Sequence, residues 1–105
     1  RQKPYAEIFN SYTGNKATGE YSHAEGSGTM AVGDCSHAEG SNTKASGPSS
    51  HAEGASAKAI GDYSHAEGAN TIAEGHYSHA EGYGTQTLGE ELEGAHAEGR
   101  YTKGK

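Results

Sequence analysis

Ser22-His23-Ala24-Glu25-Gly26-Ser27-Gly28 runs on into Thr29-Met30-Ala31-Val32-Gly33-Asp34-Cys35, and the chain then begins again at Ser36-His37-Ala38-Glu39-Gly40. His-Ala-Glu-Gly opens at His23, His37, His51, His65 and His79, fourteen residues apart each time, and once more at His96 after a gap of seventeen. The unit has two halves of seven residues. One is Ser-His-Ala-Glu-Gly plus two; the other is Thr-x-Ala-x-Gly plus two, starting at Thr29, Thr43, Ala57, Thr71 and Thr85. Small and larger residues alternate within each half and the run breaks at glycine. Period two puts successive side chains on opposite faces of a strand. Each half therefore predicts one short strand and one tight corner, and two halves close one coil. A helix is excluded, because glycine every seven residues costs about 1 kcal/mol each in a helix interior. Collagen is excluded because glycine does not fall at every third position.

The alternation assigns faces. Ser and Ala of the first half share one side with Thr and Ala of the second, giving a narrow interior of small residues. His and Glu point outward together: His23/Glu25, His37/Glu39, His51/Glu53, His65/Glu67, His79/Glu81 and His96/Glu98. Glycine tolerates positive φ, so Gly26, Gly33, Gly40, Gly47, Gly54, Gly61, Gly68, Gly75, Gly82, Gly89 and Gly99 are expected as corners. Gly28, Asn42, Ser56, Asn70 and Gly84, each before a Thr-type half, predict a second left-handed corner. Tyr21, Cys35, Ser49, Tyr63 and Tyr77 form a column along one edge. Coils stacked at the strand spacing of about 4.7–4.9 Å would span roughly 30 Å.

Composition suits only such a stack. The chain has 105 residues, of which 30% are hydrophobic, with one Phe, no Trp and 17 Gly; its mean hydropathy is −0.92. That excludes a monomeric globule with a large core, and the strict period argues against disorder. Folding then needs stacked repeats, partner chains or both. The formal charge is −6 and the seven histidines would bring it to +1 if all were protonated. The absence of a basic run argues against nucleic acid. Cys35 is single and forms no intrachain disulfide. No apolar stretch approaches the roughly 20 residues of a membrane span, and no signal peptide is recognisable.

Residues 1–14 stand apart. Tyr5-Ala6-Glu7-Ile8-Phe9-Asn10 is the densest apolar cluster, expected as a cap on the first coil or a junction to an upstream domain. The repeat domain is expected over 15–105, with an acidic insertion at 90–94 looping out of one corner. The chain starts without Met and ends within a repeat, as expected for a fragment of a longer protein.

In the Thr-type half the outward pairs vary: Met30/Val32, Lys44/Ser46, Lys58/Ile60, Ile72/Glu74, Gln86/Leu88. The His/Glu pair never does. A constant outer face among variable ones is expected to be an interface, with His and Glu pairing between chains. A threefold axis would also gather histidines as an axial metal site does, but the constellation is read as structural, with no metal, no cofactor and no catalytic residue. The Pro-Cys-x-x-Cys partner of a zinc-deaminase His-x-Glu is missing, as are His-Glu-x-x-His and a phosphate loop.

Ser-x-Ala-x-Gly-x-x-Thr-x-Ala-x-Gly-x-x resembles the head repeat of YadA-like trimeric autotransporter adhesins. The Ser-His-Ala-Glu-Gly form resembles repeats of bacteriophage tail-fibre and tail-spike proteins. The resemblance covers residues 15–105 and implies an all-β, left-handed parallel β-roll, three chains forming an intertwined or side-by-side homotrimer. In the adhesin family the two outward residues of Ser-x-Ala-x-Gly are typically apolar and line the trimer interface; His and Glu here imply a polar one. The expected function is a structural and adhesive segment of a cell-surface adhesin or phage tail fibre. It would be extracellular, on a bacterial surface or virion, and face a host glycan or protein ligand, with no membrane contact of its own. The alternatives are a mechanical tail-fibre spacer and an ice- or mineral-binding solenoid. The last would want a regular Thr-x-Thr array, which only Thr85/Thr87 matches.

Overall fold

Alternating small and large residues produce two parallel sheets that run the length of the array. The structure is a computed structural model that describes residues 7–9, 14–89 and 93–104. His-Ala-Glu-Gly and the residue after it form the longer strands β3 (His23–Ser27), β5 (His37–Ser41), β7 (His51–Ala55), β9 (His65–Ala69) and β11 (His79–Tyr83), with β13 (His96–Ala97) as the last. The Thr-type halves form β2 (Lys16–Ala17), β4 (Met30–Ala31), β6 (Lys44–Ala45), β8 (Lys58–Ala59), β10 (Ile72–Ala73) and β12 (Gln86–Thr87). One sheet has the order β1-β3-β5-β7-β9-β11-β13, where β1 is Glu7–Phe9, and the other β2 through β12. The chain is an all-β parallel solenoid of about six coils, two strands per coil.

Register follows the repeat. Each residue pairs with its equivalent one coil on, as in His37↔His51, Ala38↔Ala52 and Glu39↔Glu53. The longer step of seventeen leaves His79↔His96 in the same register. Of the acidic insertion, Glu90–Leu92 lie outside the described residues. Gly94 re-enters with φ +72° and donates its N–H to the His76 carbonyl at 2.8 Å. Of the expected N-terminal cap at 1–14, residues 1–6 and 10–13 lie outside the described residues; the backbone of Glu7–Phe9 extends the first sheet by pairing with β3.

The two sheets face each other through very small side chains. Ala24, Ala31, Ala38, Ala45, Ala52, Ala59, Ala66, Ala73 and Ala80 are fully buried, and Ser22, Thr29, Thr43 and Thr71 lie among them. The single chain measures 39 × 22 × 12 Å, its thin dimension set by that Ala/Ser/Thr interior. Inward serines serve the corners: Ser22, Ser36, Ser64 and Ser78 donate Oγ–H to the carbonyl three residues earlier at 2.5–2.6 Å.

Both corners of each coil are left-handed. Asn42, Ser56 and Asn70 have φ of 56–57° and Gly28 and Gly84 of 68° and 66°, as their position before the Thr-type half predicts. The second corner is at Tyr21, Cys35, Ser49, Tyr63 and Tyr77, with φ of 57–60°. It is the third residue of a turn closed by Ser N–H on the glycine carbonyl, as in Ser36 to Gly33 at 3.2 Å. Positive φ at that place marks a type II turn, and Pro48 stands at the second place where such turns favour proline. A left-handed residue turns its N–H along the stack. Tyr63 thus donates to Pro48 O and Asn70 to Ala55 O, at 2.9 and 2.8 Å, and each corner is tied to the coil before it.

The glycines expected as corners divide differently. Gly26, Gly40, Gly54, Gly68 and Gly82 lie inside the longer strands, at φ of 103–111°. Gly33, Gly47, Gly61 and Gly75 do not have positive φ. Gly33, Gly47 and Gly61 open the type II turns, where a Cβ would overlap the backbone carbonyl of the glycine one coil on. Gly89 and Gly99 have φ of 99° and 107°. Close approach of coil to coil, more than chain reversal, is what demands glycine at these places.

Candidate functional site

Strand alternation puts residues one and three of each long strand on the outer face of the first sheet. Parallel in-register pairing then stacks like on like. His23, His37, His51, His65, His79 and His96 form one column, with ring centroids 4.7–4.9 Å apart. From His37 to His79 the rings are nearly parallel, at 1–14°, while His23 meets His37 edge-on at 66°. The glutamates form a second column beside them.

The two columns are bonded across coils. His51 Nε2 lies 3.3 Å from Glu39, His65 Nε2 3.3 Å from Glu53 and His79 Nε2 3.2 Å from Glu67. His37 and His96 approach Glu25 and Glu81 at 3.7 and 3.5 Å, and His23 pairs within its own coil with Glu25 at 3.3 Å. With a neutral ring, Nε2–H donates and the carboxylate accepts. The sequence predicts this pairing between chains; here each pair closes within one chain, because coils stacked one strand apart bring a histidine to the glutamate of the coil before. These side chains are roughly one-third exposed, Glu98 and His96 more so at 71% and 50%. A half-wet pair of this kind contributes only about 0.2–1 kcal/mol.

The ladder also brings donor atoms together in threes. His23-Glu25-His37, His37-Glu39-His51, His51-Glu53-His65, His65-Glu67-His79 and His79-Glu81-His96 each place two imidazole nitrogens and a carboxylate oxygen within 4.8 Å of one another.

The other surfaces are less regular. Met30, Ile72 and Gln86 are half-buried on the second sheet, whereas Lys44 and Lys58 are exposed in the same column. Val32, Ile60 and Leu88 are exposed in alternate coils, separated by Ser46 and Glu74. On the expected aromatic edge Tyr63 and Tyr77 stack at 5.3 Å with rings 2° from parallel, and Cys35 is exposed. Thr85 and Thr87 are fully buried, so the one Thr-x-Thr pair points into the core and offers nothing to ice or mineral.

Two groupings lie outside the His-Ala-Glu-Gly motif. His76, the histidine outside the motif, accepts the Asp62 N–H on Nδ1 at 3.2 Å and stands 3.9 Å from the Asp62 carboxylate. At the far end Arg100 lies 5.9 and 5.3 Å from the ring centroids of Tyr83 and Tyr101, which meet edge-on at 5.4 Å. A hydrogen bond and charge repulsion from Tyr101 raise the Tyr83 phenol above its ordinary pKa. The signal for this cluster was the step of seventeen: carried past His96 it sets Arg100 opposite Tyr83. No family model, curated protein or solved structure matches the chain.

Proposed function

We propose that the chain is a structural and adhesive segment, a left-handed β-roll assembled as a homotrimer of the YadA-like head or tail-fibre kind. It would hold a recognition function away from a bacterial surface or virion. One observation carries this. Ser, Ala and Thr fill the interior of the single-chain fold, yet the partly exposed His/Glu face is as invariant along the chain as that core. The opposite outer face varies freely on the same backbone, so invariance is not a requirement of stacking. In-chain pairs worth a fraction of a kcal/mol do not account for it. A face held constant over six coils suits contact with identical faces of other copies about a common axis. The varied second sheet is then left for solvent or ligand.

Sedimentation equilibrium followed by a glycan array tests both parts. The expected mass is three times the 10.8 kDa of one chain, and the expected array result is retention on a defined glycan class. A folded monomer overturns the trimer. A trimer that binds no surface glycan or protein is a spacer, a reading favoured by the unbroken register from β3 to β11.

A further inference from the structure

The geometry points to a row of transition-metal sites on the His/Glu face, three per chain, each built from two histidines and one glutamate of adjacent coils. The sites are His23-Glu25-His37, His51-Glu53-His65 and His79-Glu81-His96. They lie within one chain and do not depend on the trimer.

The donor set fits a borderline divalent cation. Two imidazoles and a carboxylate suit Zn²⁺ and its first-row neighbours, and three protein ligands leave a fourth position for water. The sheet does the positioning. It holds successive rings 4.7–4.9 Å apart and sets a carboxylate 3.2–3.7 Å from the Nε2 of the next coil's histidine. Metal–nitrogen bonds of about 2.0–2.1 Å at a tetrahedral angle need the two nitrogens about 3.3 Å apart. Tilting two partly exposed rings toward each other closes that gap without moving the backbone. The imidazole hydrogen then resides on Nδ1, and Nε2 offers its lone pair to the ion. What is given up is the His–Glu contact, and the carboxylate is kept as a ligand.

Stoichiometry follows from sharing. Neighbouring triplets have a histidine in common, and each Nε2 lone pair serves one ion. Six histidines therefore fill three separate sites, with Glu39, Glu67 and Glu98 left over. Sites on alternate pairs of coils stand roughly 9–10 Å apart, which also relieves repulsion between dications.

Zn²⁺ titrated into the untagged full chain, counted by native mass spectrometry and calorimetry, should bind at three ions per chain. His76→Gln should leave three. Two triple variants remove equal numbers of histidines. Of the ladder, His65→Gln/His79→Gln/His96→Gln leaves His23, His37 and His51, and should bind one ion. His37→Gln/His65→Gln/His96→Gln leaves ladder histidines only on alternate coils, His23, His51 and His79, and should bind none. Equal counts in the two triples mean independent surface histidines and overturn the proposal. Ions retained by the alternate-coil variant mean ligands from different chains and overturn it too. Circular dichroism checks both folds; if either variant unfolds, the wild-type count decides, and any number other than three per chain sinks the assignment.

Discussion

Gly54→Ala should abolish the cooperative melting transition of the chain, or lower its midpoint by at least about 15 °C. Gly54 sits inside β7 at φ +108°. A Cβ there would overlap the Gly68 carbonyl oxygen and lie 2.9 Å from both Gly68 C and N. The atoms in the way are backbone atoms held by the parallel ladder, so no rotamer change relieves the contact. Strain at a glycine-only conformation costs about 1–3 kcal/mol. Parting two coils adds lost hydrogen bonds to it. In a domain of about 100 residues each kcal/mol moves the midpoint by about 4–8 °C. A stack of repeats bonded only to their neighbours also transmits the break, because coils on either side lose half their contacts. Gly28→Asn is the control. Gly28 is left-handed as well, at φ +68°, but Asn42 and Asn70 already occupy equivalent corners, and the atom its Cβ meets is Oδ1 of the Asn42 side chain. That variant should change stability by less than about 1 kcal/mol. Thermal and urea unfolding followed by circular dichroism compare the two. Equal melting of both would refute the coil-to-coil contact at Gly54.

The contrast between these glycines shows which parts of the fold were legible. Alternation alone placed Ala24 inside and His23 and Glu25 outside, because a strand has one geometric period and the burial follows it. Asn42 and Asn70 marked left-handed corners because asparagine tolerates that conformation. Tyr63 and Tyr77 adopt the same φ and gave no such sign; the turn was written instead in Gly-x-x-Ser around them, with Pro48 as its clearest letter. Gly54 reads as a corner in the sequence because a break in alternation looks the same whether the chain turns or passes close to its neighbour. The partner of each histidine was hidden for a related reason. Periodicity names the face on which His51 lies, but the same face could meet another chain or the next coil. The 4.7 Å step between rings is what brings Glu39 within reach of His51.

Ala52→Leu and His51→Leu put the same side chain at adjacent positions and should differ by more than about 2 kcal/mol in stability. Ala52 is fully buried, paired in register with Ala38 and Ala66 above and below. Leucine brings three more carbon atoms into a layer that admits only methyl groups and hydroxyls. Overpacking a core typically costs about 1–3 kcal/mol, when backbones can shift to make room. Here the chain itself joins the two sheets at both corners of the coil, and each corner is anchored to the coil before it, by Ser49 N–H on Asp34 O and Ser56 N–H on Ser41 O, each at 2.8 Å. The cost should therefore fall at the top of that range or above it. His51 faces outward, stacked between its neighbours and 3.3 Å from Glu39. Leucine there forfeits one partly solvated contact, worth less than about 1 kcal/mol, and its branched chain suits a strand surface poorly but without collision. Hydrogen exchange should show the damage from Ala52→Leu centred on β7 and fading along the stack in both directions, since each coil touches only the next. If His51→Leu proved the more damaging in the isolated chain, the assignment of inner and outer faces would be inverted. If it destabilised only the assembled form, the His/Glu face would be carrying contacts between chains.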